Sequence, residues 1–367
     1  MNLRRAVSTF RGHTVPHFRI IQRRRRWALL SGAVLVLSVL GLGVRGINYS
    51  IDFTGGTQLL LDDRSGASVE EIRAFLAEAP YDRGDAEIQL VGANRISIRT
   101  TALTDLSPDE RTGLIAGVAD LAGIQPEDVS QQVVGPTWGA QISRQALIGL
   151  VIVLVAITLY ITLRFEWKMA IGAMVALVHD VVITAGIYAL SGREVAPATV
   201  IAILTILGFS LYDTVVIYDK VKENTETASL LSKSTYEGVA NDSMNQVFMR
   251  SVNTSLVVLL PIVSLLFFGG ATLKDFALAM FIGVTTGAYS SIFVATPILV
   301  VLKEREPRFV AQRQRLERES RARERTPEVA GVGAATPAPA AAASTSGQAS
   351  PPRPAQRRRK SGKKRRR

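Results

Sequence analysis

Six stretches of this chain are long and apolar enough to cross a lipid bilayer: Trp27–Val44, Ala146–Leu163, Met169–Leu190, Ala198–Tyr218, Val252–Phe268 and Phe276–Leu302. A bilayer core takes roughly 20 apolar residues per helix, and only structures that satisfy their own backbone hydrogen bonds can cross it. The 367 residues could otherwise hold two or three soluble domains, but the hydropathy overrides that count. The expected fold class is an α-helical polytopic membrane protein with six transmembrane helices. The first run reads as a retained span rather than a cleaved signal peptide, because it is long and no small-residue cleavage site precedes a mature start.

Charge is sorted along the chain. Residues 1–26 carry eight Arg and no acid; 47–143 carry six Arg against fifteen Asp and Glu, a net −9; 303–367 carry nineteen Lys and Arg against six Glu, a net +13. Basic flanks mark the cytoplasmic side of a span. Arg23–Arg26 precede the first span, and Lys303, Arg305 and Arg308 follow the last, so six crossings return both ends to the inside. The short basic loop 164–168 and the loop 219–251, with Lys220, Lys222 and Lys233, also fall inside; the acidic 47–143 falls outside. The expected organisation is a basic cytoplasmic N-terminus (1–26), a first span (27–46), an extracytoplasmic domain (47–143), spans two to six (144–302), a charged cytoplasmic helix (303–325) and a disordered Ala/Pro-rich, polybasic tail (326–367).

The outer segment reads as βαββαβ. Gly56–Leu61 is a strand; Ser68–Ala79 opens with the capping-box pair Ser68 and Glu71. Ala86–Val91 and Arg95–Thr100 are strands around Gly92-Ala93-Asn94; Ser107–Leu121 starts a helix with Ser-Pro-Asp-Glu; Asp128–Val134 closes as a strand. This order suggests a ferredoxin-like α+β sandwich between helices one and two.

Several chemistries are excluded or unsupported. Cysteine is absent, which removes disulfides, thiol nucleophiles and thiolate metal sites; three histidines are too few for a His-rich metal centre. No phosphate-cradling loop, HExxH or GxSxG occurs. No cofactor, metal or catalytic group is expected, and any work must draw on an ion gradient or a partner.

Ionisable groups inside spans are costly and usually functional. His179-Asp180 lies mid-span in the third run, Asp213 near the inner third of the fourth, and Arg250 enters the fifth from the cytoplasmic end. Asp213 sits among Tyr212, Val215 and Val216. Apolar surroundings penalise a charged carboxylate, so Asp213 could take up and release a proton; alternatively it is a structural group bonded to a neighbouring helix. Asp180 could act similarly and share a proton with His179, although consecutive helical residues point about 100° apart and do not face the same partner. His179 could equally be a packed histidine. Arg250 could pair with Asp213 or simply anchor the interface.

Gly55-Gly56 allows a hinge or a close backbone approach at the root of the outer domain, or an ordinary turn. Gly283 and Gly287, followed by Ala288, Ser290 and Ser291, form a small-residue face for helix packing, and Gly208 and Ser210 could serve Asp213 in the same way. Tyr236–Val252 has helical apolar spacing and could lie along the membrane surface or simply connect. The run RRRKSGKKRRR at 357–367 could attract anionic lipid or ribosomal RNA, but lacks interleaved aromatics for base stacking.

Several long motifs in order carry a resemblance: DFTGGTQL after the first span, VALVHDV in the third, GFSLYDTVVIYDKVKEN in the fourth, MNQVFMRSVNTS entering the fifth, and FFGGATLKDFALAMFIGVTTGAYSSIFVATPIL through the last. Over roughly residues 20–305 the chain resembles the SecF branch of the SecD/SecF family of the bacterial Sec protein-export machinery, within the resistance–nodulation–division superfamily. The tail falls outside that pattern. The resemblance implies a twelve-span assembly completed by a SecD partner, working with the SecYEG channel, the SecA motor, a YidC-type insertase and a translocating preprotein, in the bacterial plasma membrane. It implies a proton relay of Asp213, Asp180 and Arg250, which His179 would join through its place beside Asp180, and a link of Asp52, Gly55 and Gly56 between membrane and outer domain. The implied cycle protonates Asp213 from outside, moves the outer domain and releases the proton inside. One proton crossing 100 mV yields about 2.3 kcal/mol, enough to bias a two-state domain.

Three other readings stay open. Asp180 and Asp213 on neighbouring spans crudely fit an intramembrane aspartyl protease, but GxGD and Pro-Ala-Leu motifs are lacking. A small-molecule or lipid exporter of the superfamily usually carries twice as many spans and outer domains. A passive scaffold of the translocase is compatible with a titratable Asp.

Overall fold

Each apolar run lies within a longer helical segment in the computed structural model, which describes residues 15–91, 94–227 and 233–325. A 3-10 turn, Ile21–Arg23, leads into α1, Arg24–Arg45. The chain then forms a short strand β1, Asn48–Tyr49, and a one-turn helix α2, Ile51–Thr54. The outer unit follows: β2, Gly56–Asp62; α3, Val69–Ala77; β3, Glu87–Val91; β4, Arg95–Thr100; α4, Pro108–Leu121; β5, Ser130–Val134. Helix α5, Pro136–Arg164, comes next, followed by α6, Trp167–Ser191, the short strand β6, Glu194–Val195, and α7, Pro197–Glu226. Helix α8 is Tyr236–Phe268 and α9 is Ala271–Ser290; a π-turn, Ser291–Ala295, links α9 to α10, Thr296–Lys303, and α11 is Pro307–Arg325. Among the described residues, six helical segments are long and apolar enough to cross a membrane.

The outer elements begin where the sequence places its start signals. Ser68 caps α3 and Ser107 caps α4, each closing a reciprocal box with Glu71 or Glu110. The four-stranded sheet has the order β3-β4-β2-β5 with all neighbours antiparallel, Leu59 opposite Ile98 and Gln131. Leu59, Leu61, Ile96 and Ile98 turn one face of the sheet onto Ile72, Leu76, Leu114 and Val118 of the two helices. The opposite face of β4 is buried as well, through Ser97 and Arg99, because β1 and β6 cover it.

Two expectations need correction. The stretch Tyr236–Val252 is not a separate surface helix: it continues into the fifth span as α8, and its Tyr236, Ala240 and Met244 join the buried core with Ile20 and Ile21. Asn241 and Asn245 accept the backbone N–H groups of Ile20 and Phe18, which ties the N-terminal segment down. Gly208 packs against nothing: a Cβ there meets no atom within 4 Å, since buried Leu207 takes the facing position. Residues 1–14, Gly92-Ala93 of the expected turn, 228–232 of the inner loop and the tail 326–367 lie outside the described residues. Residues 321–367 form a unit distinct from 1–320; its described part, 321–325, is the last turn of α11.

Beyond α10, Glu306 collects three cations: Lys168 at 2.8 Å, Lys303 at 3.3 Å and Arg308 at 2.7 Å. Burial pushes its carboxyl up, but these cations outweigh burial and hold its pKa at about 2, below the ordinary 4.5. A carboxyl depressed by folding stabilises the fold above its ordinary pKa and loses that contribution as pH falls through its folded value. The chain has no cysteine, so a spin label on Gln314→Cys reports α11 alone. Label mobility should rise as pH falls from about 4.5 to about 2. In Glu306→Gln it should already be raised at pH 7 and flat over that window; an unchanged wild-type profile in that variant would contradict the assignment.

Candidate functional site

Asp180 sits on α6 with none of its surface exposed. Ser210 of α7 donates to its Oδ2 at 2.7 Å and Ser290 of α9 at 2.8 Å. Its Oδ1 lies 3.1 Å from His179 Nδ1. One carboxylate therefore joins three spans. The imidazole folds back onto Asp180 at its Nδ1 edge, so the two side chains are in direct contact. Its Nε2 is buried without a partner among the described residues, and its ring stacks on Tyr289 at 6.1 Å.

Asp213 lies one turn beyond Ser210 on α7 and is 4% exposed. Ser251 of α8 donates to its Oδ1, while its Oδ2 is buried and has no partner among the described residues. Arg250 is not paired with Asp213. Its guanidinium donates instead to the Tyr212 hydroxyl at 3.3 Å. The helical screw explains the exchange: Ser251 faces α7, and the preceding residue is rotated about 100° away.

A second row of hydroxyls runs beside these carboxylates. Thr214 and Ser291 bond at 2.8 Å, and Ser291 also donates to the carbonyls of Ser210 at 3.2 Å and Gly287 at 2.9 Å. Ser291 opens the π-turn, where Tyr218 donates to the Ala295 carbonyl at 3.1 Å. π-turns inside helices commonly mark functional sites. The polar chain His179–Asp180–Ser210/Ser290 on one side and Ser251–Asp213 on the other crosses spans three to six. Sequence reading took Ser210, Ser290 and Ser291 as small packing residues and did not single out Thr214 or Ser251. The readable signal was hydroxyls recurring at helical spacing inside apolar spans: 210 and 214, 251 and 255.

Close packing holds this site together. A Cβ on Gly283 would collide with Ile206, and one on Gly287 would lie 2.9 Å from Ser210 Cβ, so α9 rests directly on α7 where Ser210 meets Asp180. Among the described residues, no group of three or more His, Asp or Glu is placed to hold a metal ion.

The root of the outer unit is a second ordered site. Gly55 and Gly56 have φ of 72° and 118°, and a Cβ on Gly56 would strike the Thr100 carbonyl oxygen. On Gly139, in the first turns of α5, a Cβ would meet the Phe53 carbonyl at 2.6 Å, so α5 packs on this segment. Asp52 accepts from Ser50 and from Gln132 of β5, both at 3.3 Å. Nearby, β1 pairs in parallel with β6, Asn48 opposite Glu194. Arg99 of β4 pairs with Glu87 at 2.8 Å and Glu194 at 3.8 Å, and donates to Asn48 and to the Tyr49 carbonyl. Burial pushes the Glu194 carboxyl up, and Arg99 draws it back. The outer sheet is thus clamped to the loop between spans three and four.

Comparisons with known proteins agree with this layout. Residues 116–305 match the family model of the protein export membrane protein SecD/SecF, C-terminal, and residues 40–62 match the SecD/SecF GG motif. A protein translocase subunit SecF from Streptomyces coelicolor is 40% identical over 301 residues, 81% of this chain and 79% of that protein. The Mycobacterium tuberculosis SecF is 42% identical over 307 residues, 78% of this chain and 67% of that protein. Among solved structures, SecDF from Thermus thermophilus, a translocon-associated membrane protein, matches at 36% identity with a TM-score of 0.69, over 79% of this chain. This chain spans only 39% of that SecDF chain. The chain belongs to the SecD/SecF family of protein-export membrane proteins.

Proposed function

We propose that the chain is the SecF half of a twelve-span assembly, completed by a separate SecD chain, that assists the Sec translocase in moving preproteins across the bacterial plasma membrane. The observation that carries this reading is the pair of buried carboxylates, Asp180 and Asp213, wired by hydroxyls across four spans of a chain that also keeps the glycine-pair root. That a SecDF chain unites a matching half with additional length supports the partnership with SecD. SecYEG, SecA, a YidC-type insertase and the emerging preprotein are the further partners this role entails, and anionic lipid would meet the basic ends. The basic flanks support cytoplasmic termini and an extracytoplasmic outer unit. The antiparallel order β3-β4-β2-β5 with a helix in each crossover supports a ferredoxin-like reading of that unit.

In this mechanism the proton motive force acts at Asp213. Its Oδ2 accepts a proton from the outer side, which removes the charge that Ser251 stabilises. Loss of the charge weakens the bond from Ser251 without breaking it, and that weakening lets α8 shift against α7. Arg250, held by Tyr212, is one residue away and can swing in to stabilise the carboxylate when the proton leaves inward. The clamp of Arg99 and Glu194 transmits motion of spans three and four to the outer sheet. A transport role, rather than chemical catalysis, is what the relatives' names describe. Co-purification from the native membrane, combined with depletion of the chain, tests the proposal. SecD should co-purify, and depletion should make an unprocessed secreted precursor accumulate; normal export without SecD recovery would contradict it.

A further inference from the structure

Beside the polar site, a cavity of about 780 Å3 opens between α1, α6 and the end of the last span. Its walls are apolar, formed by residues such as Leu35, Val178, Ile298 and Leu302, and its mouth carries Arg24, Arg25 and Arg305. These arginines sit at the end of α1 and just past α10, where span ends meet the headgroup layer. Arg24 is partly neutralised by Glu237 at 3.3 Å and Glu304 at 3.7 Å. Arg25 and Arg305 have no carboxylate partner among the described residues. At the other end, His179 lines the cavity with its buried Nε2 unpartnered, and His179 and Ser31 also line a second cavity of about 420 Å3. The two cavities share Ser31 and His179, and their lining on α1 runs from Arg24 to Leu35, about half of that helix. Gly32 keeps this apolar trough open, since a Cβ there would meet no atom within 4 Å.

The geometry points to a bound phospholipid of the cytoplasmic leaflet with an anionic headgroup, its phosphate held at Arg25 and Arg305 and one acyl chain lying in the trough. A purely apolar helix in the same place would fill the walls but leave two guanidinium groups unanswered at the mouth. A phospholipid answers both ends at once. Cavities of several hundred Å3 with mostly apolar walls and a few polar groups at one end are the usual form of such sites. The inference rests on the membrane-spanning reading and its orientation; it does not depend on proton coupling.

The test uses the full chain purified in detergent with SecD, exchanged against phosphatidylglycerol or phosphatidylcholine and read by native mass spectrometry. The wild type should retain one phosphatidylglycerol in preference to phosphatidylcholine. Arg25→Gln with Arg305→Gln should lower that preference about thirtyfold, the factor equivalent to about 1 kcal/mol for each arginine near an anionic surface. Gly32→Leu fills the trough without touching the charges, and should abolish retention of either lipid. Equal retention by all three proteins would overturn the proposal, as would a wild type that retains no phospholipid. A crosslink from SecD to position 32 that phosphatidylglycerol does not displace would also overturn it and assign the trough to the partner half. SecD recovery, scored on the same samples, tests the partnership separately.

Discussion

Asp180→Leu should destabilise the membrane unit by about 1–3 kcal/mol, because two interhelical hydrogen bonds vanish and such bonds in membranes average about 0.6 and reach about 1.7 kcal/mol each. Ser210 and Ser290 lose the oxygen they donate to, His179 loses its neighbour, and all three are buried, so none can turn to water. Thermal unfolding in detergent should show a clear drop in Tm. Asp180→Asn keeps the acceptor oxygen and should lose little stability. If Asp180→Leu unfolds with the wild type, the carboxylate is not the tie between α6, α7 and α9. If Asp180→Asn is stable but loses gradient-stimulated export, Asp180 titrates as well as ties.

Gly56→Ala should have the largest effect on the outer unit. Its φ of 118° is a conformation that residues with a Cβ rarely adopt, and holding one there costs roughly 1–3 kcal/mol. The added Cβ also meets the Thr100 carbonyl oxygen where β2 begins to pair with β4, so the first rung of the sheet must open. Gly55, at φ 72° and ψ 172°, is also in a conformation that essentially only glycine adopts, so Gly55→Ala carries a backbone cost of the same order, roughly 1–3 kcal/mol, and Gly56→Ala adds the collision with Thr100 to it. Limited proteolysis in the outer unit should rank wild type, Gly55→Ala, Gly56→Ala in increasing sensitivity. A Gly56→Ala protein as resistant as the wild type would show that the sheet tolerates a side chain at its root.

Much of the scaffold was legible in the sequence for local reasons. Run length identified the spans, and the Ser68/Glu71 and Ser107/Glu110 pairs identified the helix starts, because caps act within one turn. Asp180 and Asp213 stood out because an ionisable group in an apolar run is rare. What could not be read was pairing across helices. Ser251, not Arg250, reaches Asp213, and that choice depends on the rotation of α8 against α7. Gly208 shows the converse: small residues mark possible contact faces, yet only packing decides which are used, and Gly283 and Gly287 are used while Gly208 is open. The amphipathic start of α8 carried the same pattern whether it lay on a membrane or in a bundle, and Ile20 and Ile21 supplied the partner that no local pattern reveals. The clamp of Arg99 and Glu194 joins residues far apart in sequence and left no signal in either segment.

The proposed coupling of a proton gradient to export rests on Asp213. Inverted membrane vesicles carrying the chain with SecD, SecYEG and SecA, loaded with a secreted precursor, allow the gradient to be imposed and then collapsed. Asp213→Asn keeps the size and the bond to Ser251 but cannot titrate. The wild type should export faster with the gradient than without it, and Asp213→Asn should show no such difference while SecD still co-purifies. Gradient stimulation of equal size in Asp213→Asn would contradict it and make Asp213 a structural group within a translocase scaffold.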